Sequence, residues 1–193
     1  MRKIILFVLL VFISLTVEAQ WTQQVSGTTF DLYSVCFTSI DTGYVVGNYG
    51  KILKTTDGGV NWVSQTSGTP NALFSVCFPS VDTGYAVGYS NMILKTTNGG
   101  TTWVSQLLSG YNFYSSVYFI NTSIGYVVGA TNGNSGIISK TIDGGNTWTT
   151  YYAGGLWFNS VYFPNANTGY AVGYGYGQSL QTTNGGTRVR EMD

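Results

Sequence analysis

Apolar and polar side chains alternate with period two in four short stretches of this chain, residues 32–38, 73–78, 115–119 and 158–163, each built around Ser-Val-x-Phe. In the first, Val35 and Phe37 fall on one face and Ser34 and Cys36 on the other, the pattern of a strand with two distinguishable faces. A turn follows each stretch: Asp41-Thr42-Gly43, Asp82-Thr83-Gly84, Ser123-Ile124-Gly125 and Asn167-Thr168-Gly169. Asp and Asn side chains accept hydrogen bonds from turn backbone, so these acidic residues read as turn-formers and not as an acid cluster. The next run, Gly43-Tyr44-Val45-Val46-Gly47, returns as Gly84-Tyr85-Ala86-Val87-Gly88, Gly125-Tyr126-Val127-Val128-Gly129 and Gly169-Tyr170-Ala171-Val172-Gly173. Its small and β-branched residues suit a strand covered on both faces. A third strand is expected over 51–56, 92–97, 137–142 and 179–183, with Lys54, Lys95, Lys140 and Gln181 at one position. A ring of lysines could attract an anionic ligand; the plainer reading is a solvated edge that keeps strands of different molecules apart.

Thr55-Thr56-Asp57-Gly58-Gly59-Val60-Asn61-Trp62 closes the first repeat and recurs at 96–103 and 141–148, with a degenerate copy at 182–189 where Val189 replaces the Trp. Asp or Asn before Gly-Gly is a hairpin signal, and the Trp is expected to open a fourth, outermost strand and bury its ring against its own blade. The Gly-Tyr runs are spaced by 41, 41 and 44 residues. Such a period, filled by four short strands that cannot bury their own faces, predicts an all-β chain: a β-propeller of four-stranded antiparallel blades, about four of them. The blades are expected at about 28–66, 69–107, 111–152 and 155–189. Residues 20–27 resemble the outermost strand, since Trp21-Thr22-Gln23-Gln24-Val25-Ser26-Gly27 matches Trp62-Val63-Ser64-Gln65-Thr66-Ser67-Gly68. They could complete the last blade and close a small ring. The alternative, slightly favoured by the abrupt break of the repeat after Gly186, is a fragment of a larger propeller.

The first residues change the picture only for destination. Arg2-Lys3, an apolar run over 4–15 and Val17-Glu18-Ala19 form a secretory signal, expected to be cut after Ala19. That run is too short to span a bilayer. A secreted, periplasmic or cell-surface location is therefore expected, with no stable membrane insertion after the signal is removed. From Gln20 to Gly186 the chain has four Lys, five Asp, and no Arg, Glu or His. That balance excludes a basic nucleic-acid surface and removes the usual general base and commonest metal ligand. No cofactor and no metal site are expected. Cys36 and Cys77 occupy equivalent repeat positions, too far apart in neighbouring blades to bridge readily, so buried free thiols are expected.

The turns ending in Trp resemble the Asp-box, or BNR repeat, Ser/Thr-x-Asp-x-Gly-x-Thr-Trp. The copy ending at Trp148 fits throughout; the copy ending at Trp62 has Asn61 for Thr, and that ending at Trp103 has Asn98 for Asp. The resemblance assigns structural roles to Asp57, Gly59 and Trp62, to Asn98, Gly100 and Trp103, and to Asp143, Gly145 and Trp148. Gly-Tyr-x-Val-Gly followed by Ile-Leu-Lys-Thr-Thr-x-Gly-Gly-x-x-Trp is similar to the photosystem II assembly factor family of propellers, in its secreted bacterial branch. Sialidases also carry Asp-boxes. They need three arginines for a carboxylate and a Tyr/Glu pair, whereas the arginines here are Arg2, Arg188 and Arg190 and no Glu lies between Gln20 and Gly186.

Three functions remain. A non-enzymatic propeller would bind a protein or glycan on loops at one end. Its candidate contacts are Tyr49, Tyr89, Tyr174 and Tyr176 with Asn48 and Asn91, because aromatics beside amides suit sugars and peptide segments. The competing reading is that these tyrosines pack between blades or cap loops. A fragment of a carbohydrate hydrolase would keep its catalytic groups elsewhere, Asp31 being the one Asp outside the repeated turns. An assembly factor for a membrane complex is the third, and rests on the resemblance alone.

Overall fold

The computed structural model describes residues 21–108, 112–132, 135–175 and 179–186. Four antiparallel sheets follow one another in chain order, each a simple meander. Blade 1 consists of β1 (Leu32–Phe37), β2 (Gly43–Gly47), β3 (Ile52–Thr55) and β4 (Val63–Gln65); blade 2 of β5 (Leu73–Cys77), β6 (Gly84–Gly88), β7 (Met92–Thr96) and β8 (Val104–Leu107). Blade 3 contains β9 (Asn112–Phe119), β10 (Gly125–Thr131), β11 (Ser135–Thr141) and β12 (Thr149–Gly154), and blade 4 contains β13 (Trp157–Tyr162), β14 (Gly169–Tyr174) and β15 (Ser179–Thr182). These are propeller blades, as the repeat predicts.

Both glycines of the Gly-Tyr-x-Val-Gly strand answer to space. A Cβ on Gly43, Gly84, Gly125 or Gly169 would sit 2.3–2.7 Å from the ring of Phe37, Phe78, Phe119 or Phe163 of the same blade. At the other end, each first strand bulges against its second strand, as between Phe158 and Ser160. The bulge brings a carbonyl within 1.8–2.1 Å of a Cβ placed on Gly47, Gly88, Gly129 or Gly173. Only glycine tolerates that approach.

The core lies between blades. Tyr44, Val46 and Ile52 of blade 1 meet Leu73, Val76, Ala86, Leu94 and Trp103 of blade 2. Tyr85, Val87 and Ile93 meet Tyr114, Val117, Phe119, Val127 and Ile137. Tyr126 and Val128 meet Phe158, Val161, Phe163, Ala171 and Leu180. Each blade thus has a forward face toward the next blade and a backward face toward the previous one. The same polar contacts repeat at every junction. Tyr44 Oη and Lys54 Nζ both donate to the Gly99 carbonyl, at 2.9 and 2.7 Å. Tyr85 and Lys95 do the same to Gly144, at 2.8 and 2.6 Å, and Tyr126 and Lys140 to Gly185. The Tyr rings stack on Phe78, Phe119 and Phe163 with centroids 3.8–3.9 Å apart. The amides of Val76, Val117 and Val161 donate to the hydroxyls of Ser34, Ser75 and Ser116 in the preceding blade.

The lysines are therefore not a solvated edge. The expected reading fails because the position lies at the rim of the forward face, where a long side chain reaches the next blade's turn. Burial lowers the pKa of Lys140. The cysteines are free thiols, as expected, but half-buried instead of buried. Desolvation raises the pKa of both, that of Cys77 to about 11.

Two expectations meet a different structure. Trp103 is buried, but Trp62 and Trp148 are only half-buried, each edge-on to the Phe of its own blade. Trp62 lies on the backward face of blade 1, which no other blade covers among the described residues. The fourth strand proposed from residues 20–27 is not formed: residues 21–27 lie in no strand, Trp21 is exposed, and blade 4 has three strands among the described residues. Val189 lies outside the described residues. Among the described residues, nothing packs on the backward face of blade 1 or the forward face of blade 4 as blades pack on one another elsewhere. Val35 is 60% exposed where Val76, Val117 and Val161 are buried, and Val172 is 46% exposed where Val46, Val87 and Val128 are buried.

Candidate functional site

One end of the blades collects the starts of the first strands, the turns between second and third strands, and the connectors between blades. The Thr-x-Asp/Asn-Gly-Gly turns lie at the opposite end. Their geometry shows what they do. Thr141 Oγ1 donates to Asp143 Oδ1 at 2.9 Å and accepts from the Gly145 amide at 2.8 Å. Asp143 also accepts from the Thr147 amide at 2.9 Å and the Thr147 hydroxyl at 2.6 Å. Hydrogen bonds to the charged form, led by those from Thr147, lower its pKa to about 2. Asp57 is held the same way by Asn61 and Thr55, and its pKa is also lowered. Asn98 fills the same place without a charge, accepting from Thr102 N and donating to Thr102 Oγ1. Gly59, Gly100 and Gly145 adopt positive φ and offer amides to the Thr hydroxyls. All lone pairs used here close the turn, so this end is a fold device.

The other end carries an aromatic run. Tyr33 packs against Phe74 at 5.4 Å, Phe74 against Tyr89 at 4.9 Å, Tyr89 against Phe113 at 6.0 Å, and Phe113 against Trp157 at 5.4 Å. Five rings therefore run from blade 1 to blade 4. Tyr33, Tyr89 and Trp157 remain well exposed, at 45%, 52% and 37%. Interleaved rings of this kind present a rigid, amphipathic surface at small entropic cost. Tyr33 and Phe74 occupy the bulges of β1 and β5, whereas Phe113 and Trp157 pair regularly, with Ala130 and Tyr174, near the heads of β9 and β13.

The sequence-derived candidates fall around this run. Tyr89 is a member. Tyr49 pairs instead with Phe30, at 4.8 Å, with Lys51 over that ring. Tyr174 is exposed and pairs in register with Trp157 across β13 and β14. Tyr176 lies outside the described residues. Both amides are engaged in holding the end together. Asn48 donates from its side chain to Asp31 Oδ2 and from its backbone to Asp31 O. Asn91 Oδ1 accepts from the Asn112 amide at 2.6 Å, and its own amide donates to Asn112 O, tying the blade 2 turn to β9. Tyr49, Ser90 and Asn91 have positive φ, so the turns of blades 1 and 2 hold non-glycine residues in the left-handed region.

Sequence reading missed Tyr33, Phe74, Phe113 and Trp157. The signal was a bulky aromatic near the head of each first strand, hidden because it stands at the bulge in blades 1 and 2 and two residues before it in blades 3 and 4. Among the described residues no group of three His, Cys, Asp or Glu could hold a metal, and no helix is long and apolar enough to cross a membrane.

The model of a family described as "Photosynthesis system II assembly factor YCF48" matches residues 13–111 and 65–156. No curated protein matches the chain. Solved structures of similar fold include YCF48 bound to D1 peptide, with 22% identity and a TM-score of 0.66 over 84% of this chain and 55% of that one. YCF48 from Cyanidioschyzon merolae has 24% identity and a TM-score of 0.67 over 86% of this chain and 57% of its own. The GH74 enzyme of Niastella koreensis has 20% identity and a TM-score of 0.65 over 82% of this chain but 29% of its own. The chain thus spans little more than half the length of the two YCF48 structures.

Proposed function

The chain belongs to the photosynthesis system II assembly factor YCF48 family, and from that premise we propose that it is an exported, non-enzymatic propeller module that binds an extended protein segment. The observation that carries this reading is the aromatic run Tyr33-Phe74-Tyr89-Phe113-Trp157 across one end of the blades. Extended peptides pair well with such a surface, because apolar side chains fill the spaces between rings while the peptide backbone stays open to hydrogen bonds. A solved structure of similar fold holds a peptide, which supports the choice of a protein segment over a sugar. Export is supported by residues 1–19, whose composition is that of a secretory signal.

A hydrolytic reading finds support only in the likeness to GH74 enzymes. Glycoside hydrolysis generally needs two carboxylates flanking the bond. At the aromatic end the nearby acid is Asp31, and its carboxylate accepts from Asn48. The reading is tested by selecting peptides from a random library on the chain and measuring the best binder by calorimetry, beside a panel of xyloglucan oligosaccharides. Trp157→Ala and Phe74→Ala should each weaken peptide binding about tenfold or more, as truncating a central aromatic contact does. Binding of oligosaccharides but of no peptide, or peptide affinity unmoved by both substitutions, refutes it.

A further inference from the structure

We propose that Asn98-Gly99, in the Gly-Gly turn of blade 2, is a site of spontaneous deamidation that the closed junction between blades 1 and 2 holds silent.

Of the three such turns that end in Trp, two carry Asp, at 57 and 143, and this one carries Asn. Asparagine before glycine is the pair most prone to cyclise, because no Cβ hinders the approach of the glycine amide. The Gly99 nitrogen gives its proton to solvent base and forms a bond to Asn98 Cγ. The bond from Cγ to Nδ2 breaks, Nδ2 leaves as ammonia, and a succinimide ring remains. Water then adds to one of the two ring carbonyls. One opening gives aspartate; the other gives isoaspartate, whose main chain runs through Cγ and is longer by a methylene. Water is the only co-reactant.

Asn98 is exposed, so water and base reach its amide, whereas Gly99 beside it is buried. Three sets of contacts oppose ring closure. The Gly99 amide donates to Asp82 O at 2.9 Å, which holds the proton that must leave. The Gly99 carbonyl accepts from Tyr44 Oη at 2.9 Å and from Lys54 Nζ at 2.7 Å, both of blade 1, which fixes the peptide that must rotate. The Asn98 side chain is drawn across the turn instead of back toward Gly99. Its Oδ1 accepts from the Thr102 amide at 2.9 Å and from the Thr96 hydroxyl at 3.0 Å, and its Nδ2 donates to Thr102 Oγ1 at 2.9 Å. The bonds to Asp82, Thr96 and Thr102 lie inside blade 2. Those from Tyr44 and Lys54 cross between blades, so opening of that junction frees the nucleophile, and the opening equilibrium sets the rate.

The two products differ in what they do to the fold. Aspartate at 98 would accept from the Thr102 amide and hydroxyl as Asp143 accepts from those of Thr147, so the turn keeps its form. Isoaspartate would carry the Gly99 carbonyl away from Tyr44 and Lys54 and leave the junction without its shared acceptor. The site thus records each opening of the junction, and its isoaspartate form keeps the junction from closing as before.

The test incubates the full chain in mildly alkaline buffer and in the same buffer with urea, then digests it at acid pH. Mass spectrometry follows the amide-to-acid change at Asn98, and enzymatic methylation of isoaspartate follows the lengthened backbone. Conversion should be slower in buffer than in urea by about tenfold or more, the factor that an opening free energy of about 1.4 kcal/mol imposes. Lys54→Met and Tyr44→Phe should each speed conversion in buffer. Lys140→Met makes the same change at the junction between blades 3 and 4 and should leave Asn98 at the parent's rate. Equal rates in buffer and urea overturn the proposal, as does an Asn98 that stays intact in urea. So do junction variants that convert no faster than the parent, or an acceleration by Lys140→Met as large as that by Lys54→Met, which would place the control in global unfolding. Should Lys54→Met fail to fold, Tyr44→Phe decides, since it removes one hydroxyl and leaves the ring to stack on Phe78.

Discussion

The junction between blades 2 and 3 tests how the propeller is held together. Tyr85 Oη and Lys95 Nζ converge on one carbonyl, that of buried Gly144, at 2.8 and 2.6 Å. A carbonyl oxygen has two lone pairs, so each donor satisfies it alone. Tyr85→Phe leaves the Lys95 bond and should cost about 1 kcal/mol, the net value of one neutral hydrogen bond. Lys95→Met leaves the phenol bond and should cost about 1.5–3 kcal/mol, since its bond is charge-assisted. The double variant strands the carbonyl without a partner, which adds roughly 1–3 kcal/mol of desolvation beyond the sum. Urea unfolding followed by tryptophan fluorescence reads this: with m near ~2 kcal/mol/M, 1 kcal/mol moves the midpoint by about 0.5 M. Additive or negligible losses would refute the shared-carbonyl argument. The same site predicts an alkaline limb. Desolvation raises Tyr85 to about 12, above the unfolded value near 10. The unfolded chain therefore loses this proton first, and stability falls as pH rises from about 10 through 12. Tyr85→Phe should flatten that limb.

At acid pH the sign reverses. Asp143 titrates at about 2 in the fold, so its contribution is present above the unfolded value near 4 and is lost as pH falls through 2. Asp143→Asn, which copies Asn98, should keep the turn and make thermal stability less steep below pH 4. Cys77, raised to about 11, should react with iodoacetamide at pH 8 far more slowly in the native chain than in urea; equal rates would show that the thiol is not covered as described. Gly129→Ala puts a Cβ at 2.0 Å from the Phe113 carbonyl, so the bulge must open at a cost of about 3 kcal/mol or more, and peptide binding should fall with it. An alanine variant that melts like the parent removes the close-approach argument. Trp103→Ala should cost ~3–5 kcal/mol and half-buried Trp62→Ala clearly less, by the same melting assay.

The blade repeat was legible in the chain because its causes are local. Period-two alternation, Gly-Gly turns and the Gly-Tyr-x-Val-Gly strand are set by residues adjacent in sequence, and the second strands of blades 1 and 2 run as expected from Gly43–Gly47 and Gly84–Gly88. Asp57 and Asp143 close their turns as expected, but between the first and second strands the accepting side chains are Ser39, Ser80, Asn121 and Asn165, in place of the expected Asp41, Asp82 and Asn167, because the side chain that caps each turn stands two residues earlier. What the sequence could not determine lies between repeats. Whether Lys54, Lys95 and Lys140 face water or a carbonyl depends on how far the next blade's turn approaches. Whether Val35 is core or surface depends on what covers blade 1, not on its own strand. The aromatic run draws on bulge residues in blades 1 and 2, Tyr33 and Phe74, and on residues two places before the bulge in blades 3 and 4, Phe113 and Trp157, so no single repeat position marks it. Local alternation therefore determined the blade, while the contacts of side chains some forty residues apart decided the junctions and the candidate site.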